Sequence, residues 1–315
     1  MPAARYQQAP AAIEMIASGA PVSALQLHTP RGGRVAAQLY QPPAGRPVRW
    51  QVVIGPAMGV PQRFYAGFAT WLAAQGARVL SFDYRGQADS LALLPHARLR
   101  QIDATLHDWR ADYEAATLHL HALAPDVPLL LVGHSLGAQL PGLFERSGHI
   151  DGLLAVAAGS GYWRQNAPRL RSRALLMWYG MVPLLTPLFG YFPGRRLGAV
   201  GDLPAGVIRQ WRRWCLHPHY SGAEGPEARQ RYAAVRFPIH SLSVTDDEMM
   251  TLPGTQSLLA LYAGAPHGIE RVAPADHGLP RIGHLGWFHP RFEATLWPLT
   301  LRALGELAAR TGPAT

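Results

Sequence analysis

The pattern of apolar positions changes once along the chain, from a pair of strands to alternating strands and helices. Apolar runs at residues 22–28 and 35–40 flank the turn Thr29-Pro-Arg-Gly-Gly33, which predicts an antiparallel hairpin. The later pattern predicts an α/β fold with a mainly parallel central sheet flanked by helices. The predicted strands are residues 52–55, 78–83, 129–133, 152–157 and 239–244, and the predicted helices are residues 64–75, 102–123, 136–144 and 291–310.

Residues 160–235 interrupt this alternation and are rich in aromatic residues and proline. We interpret them as a helical cap inserted between a first core segment, residues 1–159, and a second, residues 236–315. Its tryptophans Trp163, Trp178 and Trp211 are candidates for substrate binding, and they favour an apolar acyl group. Any one of these rings could equally serve only to pack the cap onto the core.

Residues 175–192 carry no charge over 18 positions, which is near the lower limit of a membrane span. Pro183 and Pro187 argue against one straight helix, so the pattern predicts a buried pair of short cap helices. Arginines at 169, 171, 173, 195 and 196 flank the segment. Peripheral contact with a membrane is therefore an open alternative.

A serine bracketed by glycines lies at the predicted junction of a strand and a helix. The segment Gly133-His-Ser135-Leu-Gly137 follows a buried apolar run and precedes a helical one. This context is typical of a nucleophile elbow, in which a sharp turn lifts the serine hydroxyl clear of the strand. Ser135 is the predicted nucleophile.

A serine nucleophile needs a base and a carboxylate that orients the base, and in this topology they follow in the order Ser, Asp or Glu, His. Residues 245–248, Thr-Asp-Asp-Glu, come directly after a predicted strand. We favour Asp247 because such loops usually carry a proline or a small residue about four positions on, where Thr251 stands. Asp246 is the alternative.

The predicted base is His284, in a glycine-containing loop shortly before the last helix. Its apolar flanks and the glycines at 283 and 286 suit a buried, tightly turned loop. The alternatives are His267, His277 and His289. Of these, His277 lies in a sequence typical of an exposed turn.

The oxyanion of the reaction requires two backbone amides, one after the nucleophile and one in the loop after an early central strand. Leu136 supplies the first. For the second, the strand at residues 52–55 leads into Gly55-Pro-Ala-Met-Gly59. Met58 is the preferred residue and Ala57 the alternative.

Composition narrows the range of functions. All 29 basic residues are arginine, which excludes catalytic lysines, and the formal charge of +9 could match an anionic substrate or partner. The arginines are scattered and no nucleic-acid-binding motif occurs, so we expect no nucleic acid partner. The one cysteine, Cys215, and the lack of a signal-peptide pattern at the N-terminus predict a cytoplasmic location. Triad chemistry needs no cofactor or metal, and we expect neither.

With strand, elbow, acid and histidine in order, the chain resembles the α/β-hydrolase superfamily. The segments at residues 52–62, 81–86, 214–215 and 282–288 are similar to a bacterial group of predicted hydrolases near the serine-aminopeptidase-like branch. The resemblance implies the fold and a Ser–His–Asp triad. The leading hypothesis is hydrolysis of a carboxylic ester or thioester, and an acyl-enzyme follows from the triad chemistry. Acyl transfer by the same triad, or a non-catalytic binding or membrane-peripheral role, are the alternatives. Pro56-Ala-Met58 departs from the His-Gly-x that many relatives carry.

Overall fold

The computed structural model describes residues 13–15, 21–94 and 97–311. Its strands are β1 (Ile13–Met15), β2 (Pro21–Thr29), β3 (Gly33–Tyr40), β4 (Trp50–Gly55), β5 (Ala77–Phe82), β6 (Leu129–His134), β7 (Gly152–Val156), β8 (Tyr191–Phe192), β9 (Leu203–Pro204), β10 (Ile239–Val244) and β11 (His267–Val272). Its α-helices are α1 (Ala66–Ala74), α2 (Ala88–Ala92), α3 (Leu106–Leu123), α4 (Leu136–Gln139), α5 (Pro168–Leu175), α6 (Val182–Phe189), α7 (Ala205–Leu216), α8 (Pro226–Ala234), α9 (Leu252–Leu261), α10 (Gly283–Gly286) and α11 (Trp297–Thr311).

Nine strands form one sheet in the order β1-β2-β3-β5-β4-β6-β7-β10-β11. The strands from β5 to β11 along this order pair in parallel, and β1, β2 and β3 are antiparallel. The predicted hairpin is β2 with β3, which places Val22 opposite Tyr40 and Thr29 opposite Gly33. The prediction of a mainly parallel sheet flanked by helices is therefore confirmed.

Side chains of successive strand residues pack on opposite faces of the sheet. In β4, Val52 and Ile54 join the apolar layer formed with α1 and α11, whereas Val53 joins the layer formed with α3, α7 and α9. All three side chains are fully buried. Both faces of the sheet are therefore covered, which explains why the parallel strands appear in the sequence as continuous apolar runs.

Several boundaries differ from the sequence pattern. The apolar pattern did not predict β1 or β11, and β11 is an edge strand whose residues are mostly exposed or half-buried. The predicted helix over 136–144 ends at Gln139 and continues as a 3-10 turn, Leu140–Leu143, which includes Pro141. The helix predicted from residue 102 begins at Leu106, because the Thr105 hydroxyl caps it by accepting from the Asp108 amide.

Residues 160–235 hold helices α5 to α8 and the two-stranded antiparallel sheet β8–β9. The expectation of a buried helix pair over residues 175–192 is wrong. A π-helical segment, Leu176–Met181, joins α5 to α6 without a break. Two large apolar side chains of this segment, Leu176 and Tyr179, and two of α6, Leu184 and Leu188, are exposed. In the part of the chain that the structure describes, no helix has both the length and the apolar character needed to cross a bilayer.

A buried ion pair joins the loop after β5 to α3 and to the hairpin. The Asp112 carboxylate is completely buried and accepts hydrogen bonds from the Arg85 amide at 2.9 Å, the Arg85 guanidinium at 2.6 Å and the Thr29 hydroxyl at 2.8 Å. Burial raises the pKa of Asp112, and the hydrogen bonds and charge of Arg85 oppose that rise. The carboxylate therefore depends on Arg85 for its charge.

We expect Arg85→Met to lower the free energy of unfolding by about 3 kcal/mol, because it leaves the Asp112 charge buried without its partner. Arg31→Met is the matched control, since Arg31 pairs with Asp108 from a side chain that is 68% exposed. This change should cost under about 1 kcal/mol. Urea unfolding of both variants at neutral pH measures the difference, and equal losses would contradict the assignment.

Candidate active site

Ser135 lies at the turn between β6 and α4 with a backbone that few residues adopt. Its φ is 52° and its ψ is −108°, in the region that disfavours side chains with a Cβ. Its amide donates to the Val156 carbonyl at the end of β7 at 3.1 Å. Such strain persists only where neighbouring structure enforces it.

The two glycines of the motif enforce this turn by allowing close backbone approach. A Cβ on Gly133 would lie 2.6 Å from the Ala138 nitrogen, within the turn itself. A Cβ on Gly137 would lie 2.0 Å from the Gly55 carbonyl oxygen at the end of β4. Neither position tolerates a side chain, so α4 begins directly against the loop that follows β4.

The structure brings His284 and Asp247 together. The His284 Nδ1 lies 2.7 Å from the Asp247 Oδ2, the Asp247 side chain is completely buried, and the His284 side chain is 13% exposed. The other oxygen of Asp247 accepts from the amides of Met249 and Met250, both at 2.9 Å. Three hydrogen bonds to its two oxygens therefore hold the carboxylate in one orientation.

Burial works against ionisation of Asp247, yet the pKa of this carboxyl lies below its usual range. The charge and hydrogen bond of His284, together with the two backbone amides, outweigh the burial. Asp247 is therefore ionised at neutral pH. It can stabilise a positive charge on His284 when that ring takes up a proton.

Asp246 holds the backbone of the histidine loop instead of the imidazole. Its two carboxylate oxygens accept from the amides of Ile282 at 3.0 Å and Gly283 at 2.9 Å. Gly283 has a φ of +65°, a conformation that suits glycine. The two adjacent carboxylates thus contact the same segment: Asp246 binds the backbone amides of Ile282 and Gly283, and Asp247 binds the side chain of His284.

The other three candidate histidines lie elsewhere. The ring of His267 interacts with the Ala265 carbonyl at the start of β11, and that of His289 accepts from the Arg291 amide. His277 ends a 3-10 turn, Pro274–His277. Among the hydrogen bonds of the described residues, only His284 of these four binds a carboxylate of the acidic loop.

The two oxyanion candidates after β4 differ in their hydrogen bonds. The Ala57 amide donates to the Tyr65 hydroxyl at 2.9 Å and is therefore occupied. No hydrogen bond of the described residues uses the amide of Met58 or of Leu136. Because Gly55 pairs with Gly133 in the sheet, both free amides follow adjacent strand ends.

Sequence reasoning missed a buried chain of hydrogen bonds that links the loops of the site. The Tyr65 hydroxyl lies 2.8 Å from Nδ1 of His134, and Nε2 of His134 lies 2.9 Å from the backbone carbonyl of His284. A carbonyl only accepts and the Ala57 amide only donates, so the direction is determined. Ala57 donates to Tyr65, Tyr65 donates to His134, and His134 donates to His284.

His134 is completely buried, and this burial, with the nearby ring of His284, lowers its pKa to about 3. The ring is therefore neutral, as the hydrogen-bond directions require. His134 stands at the variable position of the serine motif, so its place beside the nucleophile was visible in the sequence. Nothing in the sequence pattern indicated Tyr65.

Two of the three cap tryptophans that the sequence singled out pack against each other in this structure. Trp178 and Trp211 are buried and meet edge to face with ring centres 5.0 Å apart, and Trp163 is half-buried. The Trp211 indole donates to the Tyr220 hydroxyl at 3.0 Å, which donates to Gln139 of α4 at 2.8 Å. Whether these rings bind substrate stays a prediction.

The cap also touches the loop that carries the Met58 amide. A Cβ on Gly59 would lie 2.7 Å from the Gly201 nitrogen, and a Cβ on Gly201 would lie 2.6 Å from the Gly59 oxygen. Two glycines therefore allow the chain between β8 and β9 to lie directly on the loop. Through Gly59 and Gln139 the cap contacts both segments that supply the candidate oxyanion amides.

Comparison with known proteins agrees with this architecture. Residues 46–193, which include Ser135, match the family model described as serine aminopeptidase, S33. No curated protein sequence is significantly similar to the chain.

Solved structures show the same fold at low sequence identity. A thermostable carboxyl esterase from Bacillus coagulans is 13% identical with a TM-score of 0.61, and covers 91% of this chain and 99% of its own. A soluble variant of monoglyceride lipase from Saccharomyces cerevisiae is 14% identical with a TM-score of 0.61, over 92% and 95%. An esterase from Pyrococcus furiosus is 12% identical with a TM-score of 0.55, over 97% and 98%. The chain therefore has the α/β-hydrolase fold.

Proposed function

We propose that the protein is a serine hydrolase that cleaves a carboxylic ester or thioester through an acyl-enzyme. The single observation that carries this is the 2.7 Å contact between His284 and the buried, ionised Asp247, on a loop that also touches the elbow. The strained, glycine-bracketed Ser135 directly follows His134, whose ring contacts the His284 carbonyl. Two structurally similar proteins are esterases and a third is a monoglyceride lipase, which favours ester bonds over amides.

Proton transfer follows from the tautomer of His284. Its Nδ1 donates to Asp247, so in the neutral ring Nε2 carries the lone pair that can accept the Ser135 proton. The Ser135 oxygen then bonds to the acyl carbon, and His284 returns the proton to the leaving alcohol or thiol. Water repeats the sequence on the acyl-enzyme and releases the acid.

The oxyanion of each tetrahedral intermediate would accept from the amides of Met58 and Leu136. The position of Leu136 is held by the close approach of the next residue, Gly137, to Gly55. The position of Met58 is held by the preceding residue, Ala57, whose amide donates to the Tyr65 hydroxyl. Such fixed donors stabilise developing charge without reorganisation during the reaction.

The chain of hydrogen bonds from Ala57 through Tyr65 and His134 to His284 holds the segments of the site in fixed positions relative to one another. It joins the loop after β4, the elbow and the His284 segment by three hydrogen bonds, of which the first two are buried and the third is partly buried. Tyr65 and His134 act as positioning residues in this proposal, since neither is assigned a contact with substrate.

The triad assignment predicts a clear order of effects on ester hydrolysis. Ser135→Ala should lower kcat by at least about 10⁴-fold and abolish labelling by a fluorophosphonate. Hydrolysis of p-nitrophenyl esters of graded acyl length measures the loss and also gives the preferred chain length. Labelling of Ser135→Ala equal to that of the native protein would contradict the proposal.

The two adjacent acids should differ strongly. Asp247→Asn should lower kcat by about 10³- to 10⁴-fold, because the amide cannot stabilise the imidazolium in the required tautomer. Asp246→Asn keeps an acceptor oxygen for only one of the two loop amides, but it leaves the contact of His284 with Asp247 in place and should cost about tenfold or less. Steady-state kinetics of this matched pair decide the assignment, and the reverse order would transfer the orienting role to Asp246.

His134 should make stability depend on acidity. Its pKa is about 3 in the folded protein and about 6.5 when unfolded, so between these values the unfolded state binds more protons and stability falls as the pH falls. From pH 6.5 to pH 5 this contribution amounts to about 2 kcal/mol. Urea unfolding at both pH values should show a smaller loss for His134→Asn than for the native protein, and an identical loss would refute the buried neutral ring.

A further inference from the structure

One face of the cap exposes an unbroken row of apolar side chains. Over the π-helical segment and α6, Leu176 is 62% exposed, Tyr179 61%, Leu184 69% and Leu188 74%. Pro183 and Pro187 are also exposed on this stretch. We call these six residues the apolar cap face.

The same helical stretch has an opposite, buried side. Trp178, Val182 and Thr186 recur every four residues and are at most 4% exposed, so they bury one side against the rest of the protein. The apolar cap face therefore is not needed for packing within the chain. Soluble surfaces seldom keep so many large apolar groups together unless the patch meets a partner.

Two clefts lined by arginine border this face. One, of about 410 Å³, lies at the end of α6 beside Phe189 and Tyr191 and is lined by Arg98, Arg100 and Arg195. The other, of about 260 Å³, lies between Pro183, Pro187 and the α7 residues Arg209 and Arg212. The positive charge therefore adjoins the apolar row on two sides.

These five arginines carry charge that the protein does not neutralise. Within the described residues, no carboxylate lies within ion-pair distance of any of them. Asp202 lines the larger cleft, and one of its oxygens accepts from the Arg195 amide at 3.0 Å. Three guanidinium groups against one carboxylate leave that cleft positively charged.

We propose that the apolar cap face docks on an anionic phospholipid surface. The leucines and Tyr179 enter the boundary of the acyl chains, while the arginines of the two clefts bind lipid phosphates, for which the planar guanidinium is well suited. The excess of positive charge over the whole chain, +9, attracts the protein to the same surface.

The rim of arginines distinguishes this partner from a second copy of the chain. In a two-fold symmetric dimer through this face, each patch would meet its own equivalent. Unpaired arginines of one copy would then approach those of the other, which is unfavourable. An anionic lipid surface satisfies the apolar row and the charged rim together.

Flotation with phospholipid vesicles tests the proposal. The full chain should float with vesicles of phosphatidylcholine mixed with phosphatidylglycerol, and much less with phosphatidylcholine alone. Leu184→Ser with Leu188→Ser should reduce the bound fraction at least about tenfold, since two leucines lose their transfer into apolar surroundings. Arg98→Gln with Arg195→Gln should reduce it about fivefold for each arginine, and added salt should weaken binding of the native protein.

Matched controls separate docking from misfolding and from catalysis. Leu123→Ser removes a leucine that is 39% exposed at the end of α3, and Arg310→Gln removes an exposed arginine of α11. Both variants, and Ser135→Ala, should float like the native protein. Circular dichroism melts establish that each variant is folded.

Three results would overturn the proposal. Failure of the native protein to float with the phosphatidylglycerol vesicles would remove the lipid partner. Equal flotation of the double leucine variant would remove the apolar cap face as the docking surface. A concentration-dependent dimer without vesicles, abolished by the same leucine substitutions, would assign the face to a second copy.

Discussion

The close approach of Gly137 to the Gly55 carbonyl is the contact on which the candidate site depends. Because no side chain fits there, α4 begins against the loop after β4, and Ser135 is forced into its strained backbone. The same contact sets the first amide of α4 beside the loop that carries the Met58 amide. One backbone constraint thereby determines the position of the nucleophile and of both candidate oxyanion donors.

The buried Asp247 carboxylate and the buried His134 ring near this contact each have defined hydrogen-bond partners. Asp247 keeps its charge in a dry position because His284 and two amides surround it, whereas His134 stays neutral because its two neighbours need one donor and one acceptor. The buried Asp112 carboxylate has its partner in Arg85. A low-dielectric interior strengthens such satisfied contacts and penalises any that are broken. The segments that carry Asp247 and His284 are therefore joined by several hydrogen bonds.

The cap combines two opposite surfaces. Its inner side packs through Trp178 and Trp211 and reaches α4 through Tyr220 and Gln139. Its outer side keeps an apolar row that nothing within the described chain covers. Residues 175–192 carry no charge on any side of the helix, so the side that packs and the side that is exposed look alike in the sequence. For this reason the sequence pattern predicted that the whole segment is buried.

The sequence by itself determined the hairpin and the parallel core strands of the sheet, the turn at Ser135 and the segments that hold Asp247 and His284, because apolar periodicity and glycine spacing are local signals. It did not predict β11, since an edge strand with mostly exposed residues lacks a core-facing pattern. Only the tertiary structure separated Asp246 from Asp247 and Ala57 from Met58. Those distinctions, like the contact of Tyr65 with His134, depend on which groups are neighbours in the folded protein. Residues that are far apart in the sequence leave no periodic pattern from which their pairing could be predicted.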